Sequence, residues 1–453
     1  MKTIFITSFE GVETKNLLRT TILPTILQSK DIRVVLFAHD KERIDYHKKE
    51  FLDDRICYEV VAKPHIRGLD RLFQKLKFTL LKTETTDIRR RMKYENQKNR
   101  IAYIAGLAAN RLLAHRIIVQ LFRFLDAHII RNNDYETYFD RYQPSLVVLA
   151  NLFDEPEVHL LRATKRRGVK SAGFINSWDK VTARCVLRLL PDSIIVFNEI
   201  VKKELVQYDY VRPQDIYVGG MPQYDHYFIY TPSSRDEFFK KKGLPSNTRL
   251  LLYAPVGSAY GTSDWAVIDF LHDLNEKNQF GKNVALLVRF PPNDFIDPKE
   301  LEKRPWLLYD HPGFRFTDTR GSDWDMDFHE LAHLADTLAH MSLLIGYTSS
   351  IAIDAAIFDK PIIGINFEIQ KNILPTQSPT AYQKMIHCQT LLKPGGLRVV
   401  TNEADLIQWV KRYLENPGLD REGRKVLVRE QCVFTDGKSG ERIGIYILEH
   451  ALG

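Results

Sequence analysis

Short apolar runs alternate with helical patterns along both halves of this 453-residue chain. Such runs occupy residues 3–9, 32–39, 56–62, 145–151, 170–176, 193–198 and 215–220 in the first half. In the second half they occupy residues 250–256, 284–290, 314–318, 343–347 and 362–367. Strands that alternate with helices form parallel sheets covered on both faces. The pattern therefore predicts an α/β protein with two Rossmann-like domains that face a cleft.

A turn-rich stretch at residues 222–247 separates the two alternating series and predicts a connection between domains. We therefore expect an N-terminal domain over residues 1–225 and a C-terminal domain over residues 226–453. Residues 63–141 predict a helical insertion in the first domain. Helical patterns in the second half cover residues 264–278, 327–341, 403–416 and 440–450, and the last of these helices is expected to pack back on the N-terminal domain.

Three consecutive hydroxyl side chains, Thr348, Ser349 and Ser350, follow an apolar run and precede a helical pattern. Backbone N–H groups at the start of a helix are free, and the helix dipole is positive there. The carboxyl ends of parallel strands are also where α/β sheets bind ligands. The pattern predicts a phosphate or diphosphate pocket. The alternative is that Thr348 or Ser349 is an ordinary N-cap.

Several functional classes lack their sequence signals. No strand is followed by GxGxxG, and no GxxxxGK[ST] occurs, so neither a dinucleotide site nor a P-loop is indicated. The four cysteines contain no CxxC pair, which favours a reducing compartment and no zinc site. His329 and His333 are interpreted as helix-surface residues. The acidic series Asp323, Asp325 and Asp327 is interpreted as a loop with Asp327 as N-cap, so no metal is expected.

The basic charge is concentrated in one segment. Residues 63–131 contain 16 Lys and Arg against 5 Asp and Glu, whereas the whole chain has a net charge of +7. Apolar and basic residues interleaved at helical spacing suit an anionic membrane surface. The alternative is an insertion packed on its own domain with a solvated basic face. No nucleic-acid module accompanies the charge, so no nucleic-acid partner is expected.

The N-terminal apolar run is too short for a signal peptide, and no long uncharged apolar window indicates a spanning helix. These features predict a cytoplasmic protein. The basic segment adds the hypothesis of peripheral association with the inner face of the plasma membrane. The sequence does not predict an oligomeric state.

Several segments together resemble the GT-B glycosyltransferase superfamily, nearest to its CDP-glycerol glycerophosphotransferase-like and surface-polysaccharide branch. They are YTSSIAIDAAIFDKPIIGINF (347–367), YVGGMPQYD (217–225), LLLYAPVG (250–257), FTDGKSGERIGIYI (434–447) and FINSWDKVT (174–182). The resemblance implies a GT-B fold and a nucleotide-linked donor. Glycerophosphotransferases usually carry His-Pro after the second strand of the C-terminal domain, whereas this chain has RFPPN at residues 289–293. That departure favours sugar transfer over polyol-phosphate transfer.

Within this resemblance, the donor-binding residues are expected to be Thr348, Ser349, Ser350, Asp354, Arg289 and Gly220. Asp354 lies four residues after Ser350, on the same helix face, and would orient a hydroxyl or the ribose. Arg289 ends a strand and would add a phosphate contact. The alternatives are a helix-surface carboxylate for Asp354 and a surface arginine for Arg289.

A base for the acceptor hydroxyl is expected from the N-terminal domain. Glu10 lies in the loop after the first strand, where Gly11 permits close approach of a substrate. Asp179 follows another strand in the SWDK segment. Both remain candidate catalytic residues, and the alternative is that they are turn and capping residues.

The function predicted is transfer of a sugar from a nucleotide-sugar donor to a cell-surface polysaccharide or lipid-linked acceptor, with no cofactor. Three alternatives stay open. They are a CDP-polyol glycerophospho- or ribitolphosphotransferase, an enzyme like UDP-GlcNAc 2-epimerase, which shares the fold, and a non-catalytic membrane-associated scaffold.

Overall fold

The computed structural model describes residues 1–316, 324–371 and 373–453. The chain forms two compact units. Unit 1 comprises Met1–Asp87, Asn99–His226 and Cys432–Gly453, and unit 2 comprises Ile88–Lys98 and Tyr227–Gln431.

Unit 1 contains a seven-stranded parallel sheet in the order β3-β2-β1-β4-β5-β6-β7. Its strands are β1 (Lys2–Thr7), β2 (Ile32–Ala38), β3 (Ile56–Val60), β4 (Leu146–Leu149), β5 (Lys170–Phe174), β6 (Ser193–Val196) and β7 (Ile216–Val218). In register, Ile4 of β1 lies between Val34 and Leu146. Each strand overlaps a predicted apolar run, because buried parallel strands need apolar side chains on both faces.

Successive side chains of the central strands enter separate cores on the two faces of this sheet. Phe5 and Val147 lie in one core, whereas Ile4 and Val148 lie in the other. The helices of the first half are α1 (Gly11–Glu13), α2 (Ile22–Leu27), α3 (Lys41–Glu50), α4 (Gly68–Thr79), α5 (Glu84–Gln97), α6 (Arg100–Leu113), α7 (Arg116–Ile129), α8 (Glu136–Tyr142), α9 (Glu155–Arg166), α10 (Lys180–Ala183), α11 (Glu199–Tyr208) and α12 (Asp225–Ile229). A π-helix spans Thr14–Leu18, and 3-10 turns span Pro213–Asp215 and Pro222–Tyr224.

The basic segment folds as α4 to α7, and its apolar stretch at residues 101–125 is divided between two helices. The break comes at Ala114, whose N–H bonds to the carbonyl of Asn110 at 2.9 Å. The Asn110 amide donates to the carbonyls of Thr79 and Leu81 at 2.6 and 2.9 Å and so joins α6 to the end of α4. No helix within the described residues combines the length and apolar character needed to cross a membrane.

Unit 2 contains a six-stranded parallel sheet in the order β10-β9-β8-β13-β14-β15 and a two-stranded antiparallel pair, β11-β12. The strands are β8 (Arg249–Ala254), β9 (Val284–Arg289), β10 (Leu308–Asp310), β11 (Phe314–Arg315), β12 (Trp324–Asp325), β13 (Leu343–Gly346), β14 (Ile362–Ile365) and β15 (Arg398–Val400). The run predicted at residues 314–318 is a strand only at β11, and residues 317 and 318 lie outside the described part.

The remaining helices are α13 (Arg235–Lys241), α14 (Asp264–Glu276), α15 (Pro298–Glu302), α16 (Phe328–His340), α17 (Ile351–Ile357), α18 (Ile386–Leu392), α19 (Glu403–Glu415), α20 (Arg421–Cys432) and α21 (Ser439–Leu452), with 3-10 turns at Pro375–Gln377 and Pro379–Lys384. Helix α21 returns to unit 1, where Ile443 and Ile447 are fully buried in the core that contains Ile4.

Both parallel sheets have the strand order 3-2-1-4-5-6 when counted within their own unit, and unit 1 adds a seventh strand. In this order the chain changes direction across the sheet between its first and fourth strands, and ligands bind beside the carboxyl ends of those strands. The switch point lies between β1 and β4 in unit 1 and between β8 and β13 in unit 2. The prediction of two Rossmann-like domains is confirmed.

Candidate functional site

The loop after β1 is held by the side chain of Glu13. Its Oε2 accepts hydrogen bonds from the backbone N–H groups of Phe9 and Glu10, at 2.6 and 3.1 Å. Glu10 is the N-cap of α1 and forms a capping box with Glu13. The loop is therefore fixed at the switch point of unit 1, with Glu10 at its tip.

Three carboxylates converge at this point. One oxygen from each of Glu10, Glu13 and Asp154 lies within 4.8 Å of the others. Burial, followed by the charges of Glu10 and Asp154, raises the pKa of Glu13 to about 8. Burial and the charge of Asp154 also raise the pKa of Glu10. The cluster can therefore hold a proton near neutral pH.

Cationic side chains lie beside the three carboxylates. Arg184 pairs with Asp154, and Lys180 donates to the side-chain oxygen of Asn151 at 3.0 Å. The charges of Lys180 and Arg184 both lower the pKa of Glu10, against the larger effects of burial and Asp154. The spacing of the carboxylates would admit a cation, but two positive side chains already offset their charge.

Asp179, the second predicted base, is the N-cap residue of the short helix α10, and its side chain accepts a hydrogen bond from the Ser177 hydroxyl. Its charge acts on Glu204, which is buried on α11. Burial and then Asp179 raise the pKa of Glu204 to about 8. Glu10 and Asp179 thus both follow strands of the unit 1 sheet. Their loops meet where the Asn16 amide donates to the backbone carbonyl of Asn176 at 3.1 Å.

The three predicted hydroxyls lie between β13 and α17 in unit 2. Ser350 is the N-cap of α17, but its side chain makes no capping hydrogen bond. The Oγ1 atom of Thr348 is buried and has no hydrogen-bond partner among the described residues. Neither Thr348 nor Ser349 is the N-cap of α17, so that alternative is wrong. The Thr348 hydroxyl therefore has unused hydrogen-bonding capacity within the described part of the chain.

Asp354 is buried in the first turn of α17, with 6% of its surface exposed. Its Oδ1 accepts a hydrogen bond from the Tyr227 hydroxyl at 2.8 Å. The interpretation of Asp354 as a helix-surface carboxylate is therefore wrong. Burial and then the charge of Asp354 raise the pKa of Tyr227, which keeps this phenol protonated as the donor.

Arg289 ends β9 and is 5% exposed, so it is not a surface arginine. Its Nη1 lies 3.5 Å from Asp310 and its Nη2 lies 4.0 Å from Glu330, which are ion-pair distances. Neither nitrogen makes a hydrogen bond within the described part of the chain. The guanidinium also lies within electrostatic range of Tyr227 and Asp354. A buried guanidinium whose two terminal nitrogens make no hydrogen bonds is suited to an anionic ligand.

The carboxylate of Asp310 has two closer partners than Arg289. Lys242 donates to its Oδ1 at 2.5 Å, and His333 contacts its Oδ2 at 3.0 Å. Burial alone would raise the pKa of Asp310, but the His333 and Lys242 hydrogen bonds lower it below its usual range. His333 is therefore part of this ionic network as well as of the surface of α16.

Asp327 is the N-cap of α16, as predicted, and its side chain accepts from the backbone N–H of Glu330 at 2.9 Å. Asp325 is fully buried and belongs to β12. Asp323, the first member of this acidic series, lies outside the described residues.

Gly220 lies in unit 1 and has a left-handed φ of +89°. A Cβ at this position would be 2.5 Å from Ser439 Oγ and 2.9 Å from the Phe434 ring. Nearby, Asp225 Oδ2 accepts from the backbone N–H of Gly440 at 2.6 Å. Two of the family-like motifs, at residues 217–225 and 434–447, thus pack against each other. Packing is sufficient to require this glycine, and its donor-binding role stays a prediction.

Four residues that the structure places at the candidate sites were not identified from the sequence. Tyr227, Asp310 and Asp154 gain their surroundings from residues far away in the chain, and Asn176 looked like a strand end. The signal that could have found them is their position directly after or beside strands of two similar sheets.

Solved structures with similar folds cover nearly the whole chain. A glycosyltransferase from Rickettsia africae has 12% identity and a TM-score of 0.52, with coverage of 100% of this chain and 98% of that one. The UDP-GlcNAc 2-epimerase from Neisseria meningitidis bound to UDP-GlcNAc has 10% identity and a TM-score of 0.53, with full coverage of both chains. The wall teichoic acid polymerase TagF has 12% identity and a TM-score of 0.50, with coverage of 100% and 90%. The predicted GT-B fold is confirmed.

No curated protein sequence matches the chain. A family model does match, over residues 191–449, which is more than half of the chain. It describes the CDP-glycerol:poly(glycerophosphate) glycerophosphotransferases. The expectation of a transferase is confirmed, and the protein belongs to this family of transferases, which use nucleotide-linked donors and act on cell-wall polymers.

Proposed function

We propose that the protein transfers a sugar from a nucleotide-sugar donor to a hydroxyl of a cell-surface polysaccharide or lipid-linked acceptor. The observation that carries the proposal is the Arg289 guanidinium, which is buried while both of its terminal nitrogens lack hydrogen bonds within the described residues. Burying such donors without partners costs free energy, which a ligand with acceptor oxygens would recover. Phosphate oxygens match this planar fork of donors.

The hydroxyls after β13 supply the second contact with the donor phosphates. Thr348 has an unpaired buried hydroxyl, and Ser349 and Ser350 lie beside it at the start of α17. Charge builds up on the nucleotide phosphate as the bond to the transferred group breaks. Hydrogen-bond donors of the protein that the fold holds in place stabilise that charge. The Tyr227 hydroxyl holds the Asp354 carboxylate in place. We infer that Asp354 accepts a hydrogen bond from a hydroxyl group of the nucleotide-sugar donor.

Glu10 is the base that we favour for the acceptor hydroxyl. It is fixed by the capping box, and burial together with Asp154 raises its pKa. A base with a pKa closer to neutrality is better matched to proton removal from a hydroxyl. Asp179 is the alternative base. Donor phosphates meet a guanidinium and hydroxyls, so we expect transfer to survive EDTA treatment.

Glycerol-phosphate transfer from CDP-glycerol is the second candidate, because the matching family is named for that reaction. Against it stands Phe290, which occupies the position of the histidine expected after β9. Phe290 is 6% exposed and packs in the core of unit 2. Its phenyl ring has no titratable group, so it cannot move a proton as a histidine could. We therefore place sugar transfer first. An epimerase shares the fold with this chain, but it would convert its nucleotide sugar without an acceptor.

The protein as purified would be incubated with bacterial membrane fractions and, in turn, with UDP-, GDP- and CMP-linked sugars and CDP-glycerol. Mass spectrometry of the extracted polymer separates the candidates. The proposal predicts an added sugar without added phosphorus. Addition of glycerol phosphate to the polymer would contradict sugar transfer and support the second candidate. Conversion of a UDP-sugar without an acceptor would favour the epimerase. No change in the polymer or in the nucleotide-linked compounds with any donor would favour a scaffold.

We also infer that the basic segment associates with an anionic membrane surface. Its helices carry apolar side chains that point into solvent, among them Ile101 (83% exposed), Ile117 (77%) and Leu112 (73%). The opposite faces of these helices pack inside unit 1, where Phe73, Val119 and Phe122 belong to one hydrophobic core. Exposed apolar residues that lie next to basic side chains, as Ile101 lies next to Arg100 and Ile117 next to Arg116, are typical of interfacial helices. Such a contact would keep the enzyme near lipid-linked acceptors.

A further inference from the structure

The side-chain amides of Asn16 and Asn176 are buried in unit 1 with most of their hydrogen-bonding capacity unused. Asn16 is 1% exposed and Asn176 is 3% exposed. Asn16 Nδ2 donates to the backbone carbonyl of Asn176 at 3.1 Å. Asn16 Oδ1 and both Asn176 Oδ1 and Nδ2 have no partner among the residues described. Since buried amides are normally paired in native proteins, these three atoms indicate a missing ligand.

The two amides lie on loops next to the switch point of unit 1. Asn16 lies in the π-helix Thr14–Leu18, where the N–H of Arg19 bonds to the carbonyl of Thr14 at 3.0 Å. Such a widened turn carries a cost, and π-helical turns occur frequently at functional sites. Asn176 directly follows the buried Ile175 at the carboxyl end of β5, next to β4 in the sheet. The two residues belong to the loops that carry Glu10 and Asp179.

The free atoms define the chemistry of the ligand. Two of them accept hydrogen bonds and one donates. The orientation of Asn16 follows from its bond to a carbonyl, which needs the nitrogen, and both polar atoms of Asn176 are free in either orientation. A phosphate dianion presents acceptors and would leave both amide oxygens unpaired. A hydroxyl group both donates and accepts.

We propose that Asn16 and Asn176 form a subsite for the hydroxyl groups of a neutral, polyhydroxylated acceptor such as a sugar residue. This inference rests on the proposed function, because it gives the acceptor of that reaction a place in unit 1. It adds that the acceptor group bound here is uncharged. The acceptor hydroxyl would then lie on the loops of both base candidates.

The test uses the full chain and the substitution Asn176→Leu, which replaces the amide by an apolar group of similar size. Binding of the methyl glycosides of glucose and N-acetylglucosamine, of glycerol and of inorganic phosphate is followed by saturation-transfer NMR and by ligand-detected phosphorus spectra. We expect at least one neutral probe to bind the wild-type protein. Phosphate, for which the Arg289 site is the proposed binding place, should give the same signal with N176L as with the wild type. In N176L the signal of the neutral probe should fall at least about tenfold.

Stability separates a ligand site from a structural role. Removing a buried amide that has no partner should leave the melting temperature unchanged or higher. Asn110→Leu is the matched control, because that buried amide donates to two carbonyls, and its loss should lower the melting temperature. The neutral probes should still bind N110L.

Three results would overturn the inference: N176L melting as low as N110L, neutral probes that bind N176L as well as wild type, or neutral probes that fail to bind wild type. Stabilisation of the wild-type protein by nucleotide donors is measured in parallel. If that stabilisation is present, only the acceptor subsite fails, and if it is absent, the proposed function fails with it.

Discussion

The Tyr227 hydroxyl donates to Asp354 Oδ1 at 2.8 Å, and both side chains are buried in unit 2. The pair joins α12, which lies inside the turn-rich stretch, to α17, the helix that follows the Thr348–Ser350 hydroxyls. Arg289 lies within electrostatic range of both side chains. A phenol, a carboxylate and a guanidinium therefore act on one another beside the carboxyl ends of the unit 2 strands.

Replacing Tyr227 by phenylalanine should destabilise the protein by about 2 kcal/mol, because a buried hydrogen bond to a carboxylate is lost. Donor binding should weaken about tenfold, since Asp354 would no longer be held. The measurements are urea denaturation and donor titration. Tyr230→Phe is the control: it removes a similar bond, at 2.9 Å, to Asp336. Equal effects of the two substitutions on donor binding would count against the role of Asp354.

Replacing Arg289 by methionine should leave the free energy of unfolding unchanged or raise it. The guanidinium is buried without hydrogen bonds from its terminal nitrogens, and Asp310 keeps Lys242 and His333 as partners. Urea denaturation measures the change. As a control, Arg304→Met removes a guanidinium that is paired with Asp269 at 2.5 and 2.6 Å, and should destabilise the protein. A large destabilisation by R289M would indicate a structural arginine instead.

Stability should fall as the pH rises from about 4.5 to about 8, the ordinary pKa and the folded-state pKa of Glu13. The sign follows because Glu13 in the folded protein retains a proton that the unfolded chain releases in this range, so the unfolded state is favoured as protons become scarce. Glu13→Gln should reduce this pH dependence, because the amide does not titrate. Urea midpoints at pH 5, 6.5 and 8 provide the measurement. An identical pH dependence in E13Q would refute this assignment.

The substitution Glu10→Gln should lower kcat by at least about 100-fold, because a positioned base of this kind contributes that much. In the wild-type protein, kcat/KM should decline on acidification, and the decline should begin at a higher pH than for an ordinary carboxylate, since the pKa of Glu10 is raised. Asp179→Asn is the comparison. If D179N loses activity and E10Q keeps it, the base is Asp179.

Flotation with vesicles that contain phosphatidylglycerol should recover the wild-type protein, and less of it should float at high salt. The double substitution Leu112→Glu with Ile117→Glu should abolish flotation without changing the melting temperature, because both side chains are exposed. Ile229→Glu is the control, since Ile229 is equally apolar and 67% exposed but lies outside the basic segment. Recovery of the double variant with the vesicles would contradict the membrane hypothesis.

Most of the two sheets could be predicted from the sequence, because buried parallel strands such as β1 and β13 are continuous apolar runs. The short strands β10 and β15 were missed, since three residues carry little pattern. The stretch at residues 101–125 keeps apolar residues at helical spacing on both sides of Ala114. Its pattern therefore does not mark the break there, next to the contacts of Asn110 with Thr79 and Leu81.

The candidate site was predictable only where a motif was local. The hydroxyls at residues 348–350 and Glu10 follow strands, and this position is visible in the sequence. The burial of Asp354 and Arg289 could not be predicted from the sequence, because Tyr227 and Asp310 approach them from other elements. The packing reason for Gly220 was equally hidden, since Ser439 lies more than two hundred residues away along the chain.

A thermal-shift comparison of wild type, R289M and the Ser349→Ala, Ser350→Ala double variant with UDP-, GDP-, CMP- and CDP-linked donors tests the central claim most directly. One nucleotide series at about 100 times its dissociation constant should stabilise the wild-type protein by about 2.7 kcal/mol. R289M should lose this stabilisation, and the double variant should retain less of it than the wild type. Full stabilisation of R289M, or no stabilisation of the wild type by any donor, would contradict the account.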